Sequence, residues 1–363
     1  MTALLEELRV LDLSLWQPGH YATQLLADLG ADVLKVEPPG GDRMRVLPDR
    51  FVNYNGHKRS TVLDLKRDDD QARLLQLAAE AEVVVEGYRP GVADRLGAGY
   101  ERLSAVNPAL VYCSISGFGQ TGPLAHATGH DFNYQAYAGA LVAPAPGMTP
   151  IASGALLGDQ GSGMAAAFAI LAAVVCARRT GRGEHIDVSM ADLISSWVAP
   201  MGRVDEVRDA PAQGEGSPGT GTYATSDGGY VVLGIFSEDH FWDALCRNLG
   251  LEQYVGLGMT ERAVRAIELR DALQAEFTTR ARDDVVAELD GQGVPIAPVL
   301  SRAQALDHPH FWARGIMTRG PDGDRRVGHP IRYRHHPARG PGRPPNLGEG
   351  GDEGFANEPT KTS

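Results

Sequence analysis

Asp159 stands in GALLGDQGSGM, a carboxylate set among glycines just ahead of a long helical stretch. Gly158, Gly161 and Gly163 leave no side chains to screen that carboxylate or the amides of the helix start. Two readings are open. As an N-cap, Asp159 would accept from first-turn amides and contribute about 1 kcal/mol. As a reactive group, it would sit where a ligand oxygen can reach both carboxylate and amides, the arrangement that stabilises a developing oxyanion. His130, in TGHDFNYQAYAGAL, follows Gly129 and opens a helical pattern. There the macrodipole favours a neutral imidazole able to act as a base, the alternative being a ring that only packs on a sheet. Glu238, in GIFSEDHFW, lies between a strand end and an amphipathic helix, where Ser237 or Glu238 could equally cap. No metal site is expected: His126 and His130 are separated by Thr128 and Gly129, and no carboxylate takes the HExxH position.

Lys58, Arg59, Lys66, Arg89 and Arg95 gather in the first part of the chain, mostly beside expected strands. The whole chain carries 34 basic and 46 acidic side chains, a net charge of −12, which disfavours nucleic acid and anionic lipid as partners. A local cationic patch at strand ends, where open α/β sheets bind ligands, therefore points to an anionic small molecule, with a solvated ion-pair surface as the alternative. Cys113, Cys176 and Cys246 show no CxxC spacing and fit a reducing compartment. MTALLEELRV lacks the basic start of a signal peptide, and the longest apolar run, Met164 to Cys176, falls short of the ~20 residues a bilayer requires. A soluble, cytoplasmic protein with no membrane partner is expected.

The elements that must position these groups follow from hydrophobic period. Leu8 to Leu13, Val33 to Val36, Thr61 to Leu65, Val83 to Val85 and Leu110 to Ile115 read as strands buried on both faces. Helical patterns lie at Tyr21 to Leu29, Asp69 to Ala81 and Tyr100 to Ala105, an alternation that argues for a parallel sheet covered on both sides. No GxGxxG follows the first strand, so an ordinary dinucleotide site is not supported. A helix from Ser162 to Arg178, a strand at His185 to Ser189 and a helix from Ala191 come next. The expected plan is α/β: a Rossmann-like large domain over 1–200, a linker over 201–220 and a smaller α+β domain over 221–300. A return linker over 301–324, a C-terminal part of the large domain over 325–350 and a flexible tail over 351–363 complete it. GIMTR and VGHPIRY read as strands returning to a sheet, and the last ~25 residues as frayed.

The stretches LRVLDLS, LLADLGADVLKVEPPGGD, GHKRSTVLDLKR, EGYRPGVADRLGAGY, GHDFNY, GALLGDQGSGM, RRTGRGEHIDVSMAD and PPNLGEG occur in an order that resembles the family III CoA transferase superfamily from about residue 7 to about 350. Within it the chain is most similar to the α-methylacyl-CoA racemases, through GHDFNY and EGYRPG. The resemblance implies an interlocked homodimer of two-domain chains and an acyl-CoA substrate whose CoA moiety makes a separate cofactor unnecessary. It implies His130 and Asp159 as bases on opposite faces of the α-carbon, with Glu238 orienting His130. The CoA moiety would be held by Leu63, Asp64, Leu65, Lys66, Gly87, Tyr88, Arg89, Arg95, Gly129 and Tyr134. The chain departs from the family at Trp16 to His20, at Pro218 to Tyr223, and by one extra residue near Glu238.

The chemistry expected first is cofactor-independent epimerisation of a 2-methylacyl-CoA, by deprotonation to an enolate and return of the proton from the opposite face. The alternative is CoA transfer between an acyl-CoA and a carboxylate, with Asp159 as nucleophile, the role its GD aspartate has in the transferases the chain resembles. A catalytically silent CoA-binding protein is the third reading.

Overall fold

Six short runs of β-branched and apolar residues line up in parallel: β1 (Arg9–Asp12), β2 (Asp32–Glu37), β3 (Arg59–Val62), β4 (Val83–Glu86), β5 (Val111–Ser116) and β6 (Glu184–Ser189), in the order β3-β2-β1-β4-β5-β6. The computed structural model describes residues 2–143, 148–152, 154–199, 217–351 and 354–356. Because successive strand residues face opposite ways, Val10, Val33, Val83, Val85 and Cys113 enter one core while Leu11, Leu34, Val36, Val84 and Tyr112 enter another. Between strands run α1 (Gln17–Asp28), α2 (Pro48–Tyr54), α3 (Asp68–Glu80), α4 (Val92–Arg95), α5 (Tyr100–Val106), α6 (Asp131–Tyr137), α7 (Leu157–Thr180) and α8 (Met190–Val198). α1 and α7 fill the first core with Leu25, Leu26, Ala166, Ile170 and Val174, and α3 and α5 close the second with Leu74, Leu77 and Leu103. The fold is thus an α/β doubly covered sheet, as the period of the sequence predicts. Its order reverses between β1 and β4, the switch point at whose carboxyl ends such sheets hold ligands.

Helix starts differ most from the sequence reading. α1 begins at Gln17, so WQPGH is its N-cap and first turn, with Pro18 where a missing N–H does no harm. α7 begins at Leu157, five residues before the expected Ser162. Two of the glycines expected to leave Asp159 open to a ligand are instead close-packing positions: a Cβ on Gly163 would lie 2.7 Å from the Pro18 carbonyl oxygen, and one on Gly161 2.3 Å from the Trp197 ring. α7 is long and apolar enough to cross a membrane by length and composition. Yet Gly158, Ser162, Ala166, Ile170, Val174 and Ala177 bury one of its faces in the first core, at helical spacing.

Contacts divide the chain into one unit of residues 1–142, 150–203 and 309–363 and a second of residues 143–149 and 204–308. The first part of the expected linker, residues 201–216, lies outside the described residues. In the second unit, β7 (Thr222–Ala224), β8 (Tyr230–Leu233) and β9 (Ile296–Pro298) form an antiparallel sheet. It packs with α9 (Asp239–Leu249), α10 (Met259–Val264), α11 (Ala266–Thr278) and α12 (Arg282–Asp290) around Trp242, Leu245, Leu273 and Phe277. α13 (Arg302–Asp307) ends this unit.

GIMTR and VGHPIRY do not rejoin the large sheet. After α14 (Pro309–Ala313), Met317–Arg319 and Arg325–Val327 pair as a hairpin of their own, β10 and β11, fixed by Arg326 donating to the Val52 carbonyl at 3.1 Å. Nor is the end frayed from residue 339. Arg339 N–H donates to the Asp28 carbonyl at 2.7 Å, Gly350 N–H to the Ser60 carbonyl at 2.7 Å, and Arg59 to the Gly354 carbonyl at 2.6 Å. The segment therefore covers the free edge beside β3, which explains its poverty in apolar residues: backbone hydrogen bonds hold it. Residues 357–363 lie outside the described residues.

Candidate active site

Asp159 is the third residue of α7, whose N-cap is Leu156 and has no side-chain cap. The N-cap reading of Asp159 is therefore excluded. The carboxylate that serves this helix start comes from elsewhere: buried Asp131, the first residue of α6, accepts the Asp159 N–H at 2.8 Å through Oδ2, while the Gln135 amide donates to its Oδ1. Gly158 permits the approach, since a Cβ there would meet Asp131 Oδ2 at 3.1 Å and the Ile194 and Met190 side chains at 3.5 Å. Asp131 was legible only as the letter after His130. Its role arises from two helix starts meeting, which local sequence does not display.

Burial, reinforced by the neighbouring Asp131 carboxylate, pushes Asp159 up to about 6, against the pull of His130 and Arg50. A raised carboxyl pKa means that the folded protein holds the proton more tightly than the unfolded chain between about pH 4 and 6, so stability falls as pH rises through that window. Asp159→Asn should accordingly raise the melting temperature at pH 8, by an equivalent of ~2 kcal/mol after allowance for partial exposure, and give no gain below about pH 4. Melting curves at pH 4 and pH 8 check this. An equal change at both would contradict it.

His130 is the N-cap of α6 and exposed, its ring edge-on to Trp16 with centroids 6.4 Å apart. Its backbone N–H donates to Asn133 Oδ1 at 2.9 Å. Gly129 and Tyr134 are committed to building this turn: the Tyr134 hydroxyl donates to the Gly129 carbonyl at 2.5 Å, and its ring packs on Phe118 at 5.1 Å. Tyr134, expected among the CoA-binding groups, is a buried brace here, with its hydroxyl already engaged. Glu238 is the N-cap of α9 in the second unit, with its carboxylate accepting the Phe236 N–H at 3.0 Å. The backbone amides at Glu238 and Phe236 hold that carboxylate below its usual range.

The expected cationic patch separates into two kinds of side chain. Lys58 is fully enclosed and donates to Asp12 at 2.9 Å, Thr23 at 2.7 Å and Asn55 at 3.0 Å. Burial brings it down to about 8, opposed by Asp12. Burial works against the Asp12 carboxylate too, but Lys35, Lys58 and His20 outweigh it and hold that group far below its usual range. His20, Lys35 and Asp42 continue the network, with His20 Nε2 and Lys35 Nζ each 2.8 Å from Asp42 Oδ2. These charges fix the β1–α1 connection from inside and cannot meet a ligand phosphate. Arg59 likewise is bound to Asp32 at 2.8 and 3.0 Å. Leu63 and Leu65 are buried in the second core, leaving only their backbones for a ligand, and Asp64 lies between them with its N–H held by Asp70 at 2.9 Å.

Lys66, Arg89 and Arg95, by contrast, are exposed. Gly87, Tyr88 and Arg89 follow β4 at the switch point, and the Tyr88 N–H is turned back onto Glu86 at 2.6 Å. Glu86 was not singled out in the sequence, where it follows the expected strand Val83 to Val85 and opens EGYRPG. Burial lifts it to about 7. Gly91, at φ 76°, starts α4 in the left-handed region that a side chain resists, and so presents Arg95 on the next turn.

With this geometry in place, comparison with known proteins is decisive. The model of CoA-transferase family III matches residues 5–351. The chain belongs to CoA-transferase family III. Among family members, the succinate–glutarate CoA-transferase of Agrobacterium fabrum is 32% identical over 341 residues, covering 86% of this chain and 84% of the relative. The acetyl-CoA:oxalate CoA-transferase of Acetobacter aceti is 33% identical over 365 residues, covering 93% and 91%. The crystal structure of a CaiB/BaiF family protein from Brucella suis superimposes with a TM-score of 0.86 at 32% identity, over 97% of this chain and 98% of that one. The protein is therefore a family III enzyme. The Agrobacterium and Acetobacter relatives are named as CoA-transferases, the alternative reading, and not as racemases, the reading expected first.

Proposed function

We propose that this family III enzyme moves CoA between an acyl-CoA and a free carboxylic acid through covalent intermediates on Asp159. The observation that carries the reading is the carboxylate itself: in the first turn of a 24-residue helix that it does not cap, raised by burial and by Asp131, and preceded by glycine. One Asp159 oxygen attacks the thioester carbonyl carbon, the C–S bond breaks, and CoA departs as thiolate to leave a mixed anhydride. The thiolate then attacks the aspartyl carbonyl, and the C–O bond breaks to release the donor acid and leave Asp159 as its CoA thioester. The acceptor carboxylate runs these steps in reverse and regenerates the aspartate. No proton or electron is consumed. Leu157 and Gly158, whose first-turn amides have no carbonyl of their own helix to bond, would face the oxyanions.

Lys66, Arg89 and Arg95, with the backbone of Leu63 to Leu65 and of Gly87 and Tyr88, are proposed to hold the CoA moiety. The acids in the relatives' names, succinate, glutarate and oxalate, are dicarboxylic, and that class is proposed for this chain as well. Homodimerisation belongs to the same proposal, supported by the apolar side chains Met164, Phe168 and Val175 that α7 leaves exposed.

Epimerisation is retained as a second reading because His130 directly precedes Asp131, whose carboxylate accepts the Asp159 N–H at 2.8 Å and so joins the two helix starts. Incubation with succinyl-CoA or a chiral 2-methylacyl-CoA, in deuterium oxide, with and without glutarate, separates the two. Transfer predicts glutaryl-CoA that appears only with acceptor. Deuteration and inversion at the α-carbon without acceptor would establish the epimerase instead.

A further inference from the structure

Resting on the transfer reading above, the geometry points to Arg50 as the recognition group for the second, non-reacting carboxylate of a dicarboxylic acyl substrate. Arg50 lies on α2, a short helix opened by Pro48, and is exposed. Among the described residues no side chain or carbonyl is bonded to its guanidinium. It is four residues before Tyr54, so both occupy one face of the helix. That face meets the start of α7: the Tyr54 ring packs edge-on against Tyr21 with centroids 5.8 Å apart, and its hydroxyl accepts from the Gln160 side chain at 3.4 Å, one residue beyond Asp159. Arg50 stands one helical turn from Tyr54 on the same face, its positive charge also lowering the Asp159 carboxyl.

Two neighbouring cations are engaged elsewhere. Arg45 is bound to Glu37 by two bonds of 2.6 Å and lies over the Phe51 ring at 4.2 Å, and Lys58 is consumed by Asp12. A guanidinium left free on the helix that packs against the start of α7 suits a substrate that brings a second carboxylate, because a planar fork binds that group through two hydrogen bonds. A monocarboxylic acyl group would leave it idle. The subsite selects among acyl groups and takes no part in bond making.

Calorimetry with succinyl-CoA and with butyryl-CoA, an uncharged analogue of the same chain length, tests the subsite without requiring turnover. The wild-type protein should bind succinyl-CoA more tightly, and Arg50→Ala should lose roughly 10- to 100-fold for succinyl-CoA only, with Arg50→Lys recovering part of the loss. The same selectivity should appear in kcat/KM. Equal weakening of both thioesters would make Arg50 a contact of the CoA moiety and overturn the proposal, as would no change in either. A protein that binds with this selectivity yet transfers no CoA would contradict the transfer reading and leave the subsite standing.

Discussion

Asp159→Ala should abolish CoA transfer for every donor and acceptor, a loss of at least ~10⁴-fold, while leaving the fold intact. The size of the effect follows from covalent catalysis: without the carboxylate neither the anhydride nor the aspartyl thioester can form, and no other carboxylate can take its place. Asp131 is the nearest alternative, but it is buried with one oxygen on the Asp159 amide and the other on Gln135. His130→Ala should change transfer little, because an exposed ring beside Trp16 has no covalent part in the cycle. The epimerase gives another pattern, in which His130→Ala abolishes inversion and either variant retains slow α-exchange of one epimer. Turnover rates and α-deuteration in both variants therefore discriminate twice.

The second large effect belongs to CoA binding. Arg89→Ala and Arg95→Ala should each weaken CoA roughly 10- to 100-fold, the range of a lost charge-assisted hydrogen bond to phosphate, and the double variant should bind no CoA at micromolar concentrations. A chain of net charge −12 repels a nucleotide unless cations are concentrated locally. Once Lys58 and Arg59 are discounted as ion-paired, Arg89 and Arg95 are the exposed arginines of the proposed set at the sheet's switch point. Affinity should also fall with added salt in the wild type, and less steeply in either variant. Calorimetry at low and high salt checks both statements, and unchanged affinity in Arg89→Ala would remove this turn from the site.

The large sheet was legible because its strands are buried on both faces and announce themselves as continuous apolar runs, as Val83 to Val85 does. α9 was legible as the amphipathic helix after Glu238, since Glu238 and Gly250 bracket a clear period. What escaped the sequence is what depends on contacts between distant segments. α7 starts at Leu157 because its glycines face Pro18 and Trp197, a reason invisible from GDQGSG itself. Lys58 reads as a surface cation beside His57 and Arg59, and only the fold closes Asp12, Thr23 and Asn55 around it. α2 was passed over because seven residues with a proline and two asparagines nearby carry the composition of a loop. Asp159 and His130 were found by local chemistry, but Asp131, which holds the one beside the other, was not.

Oxygen-isotope tracing tests the covalent role of Asp159 most directly. If the acceptor acid carries ¹⁸O in its reacting carboxylate, each completed transfer leaves one ¹⁸O on Asp159, and the next turnover passes it to the departing donor acid. The account predicts donor acid with one ¹⁸O from the second turnover onward, with unlabelled water as solvent. Donor acid that stays unlabelled while CoA moves to the acceptor would contradict it, because CoA would then be passing between substrates without a bond to Asp159.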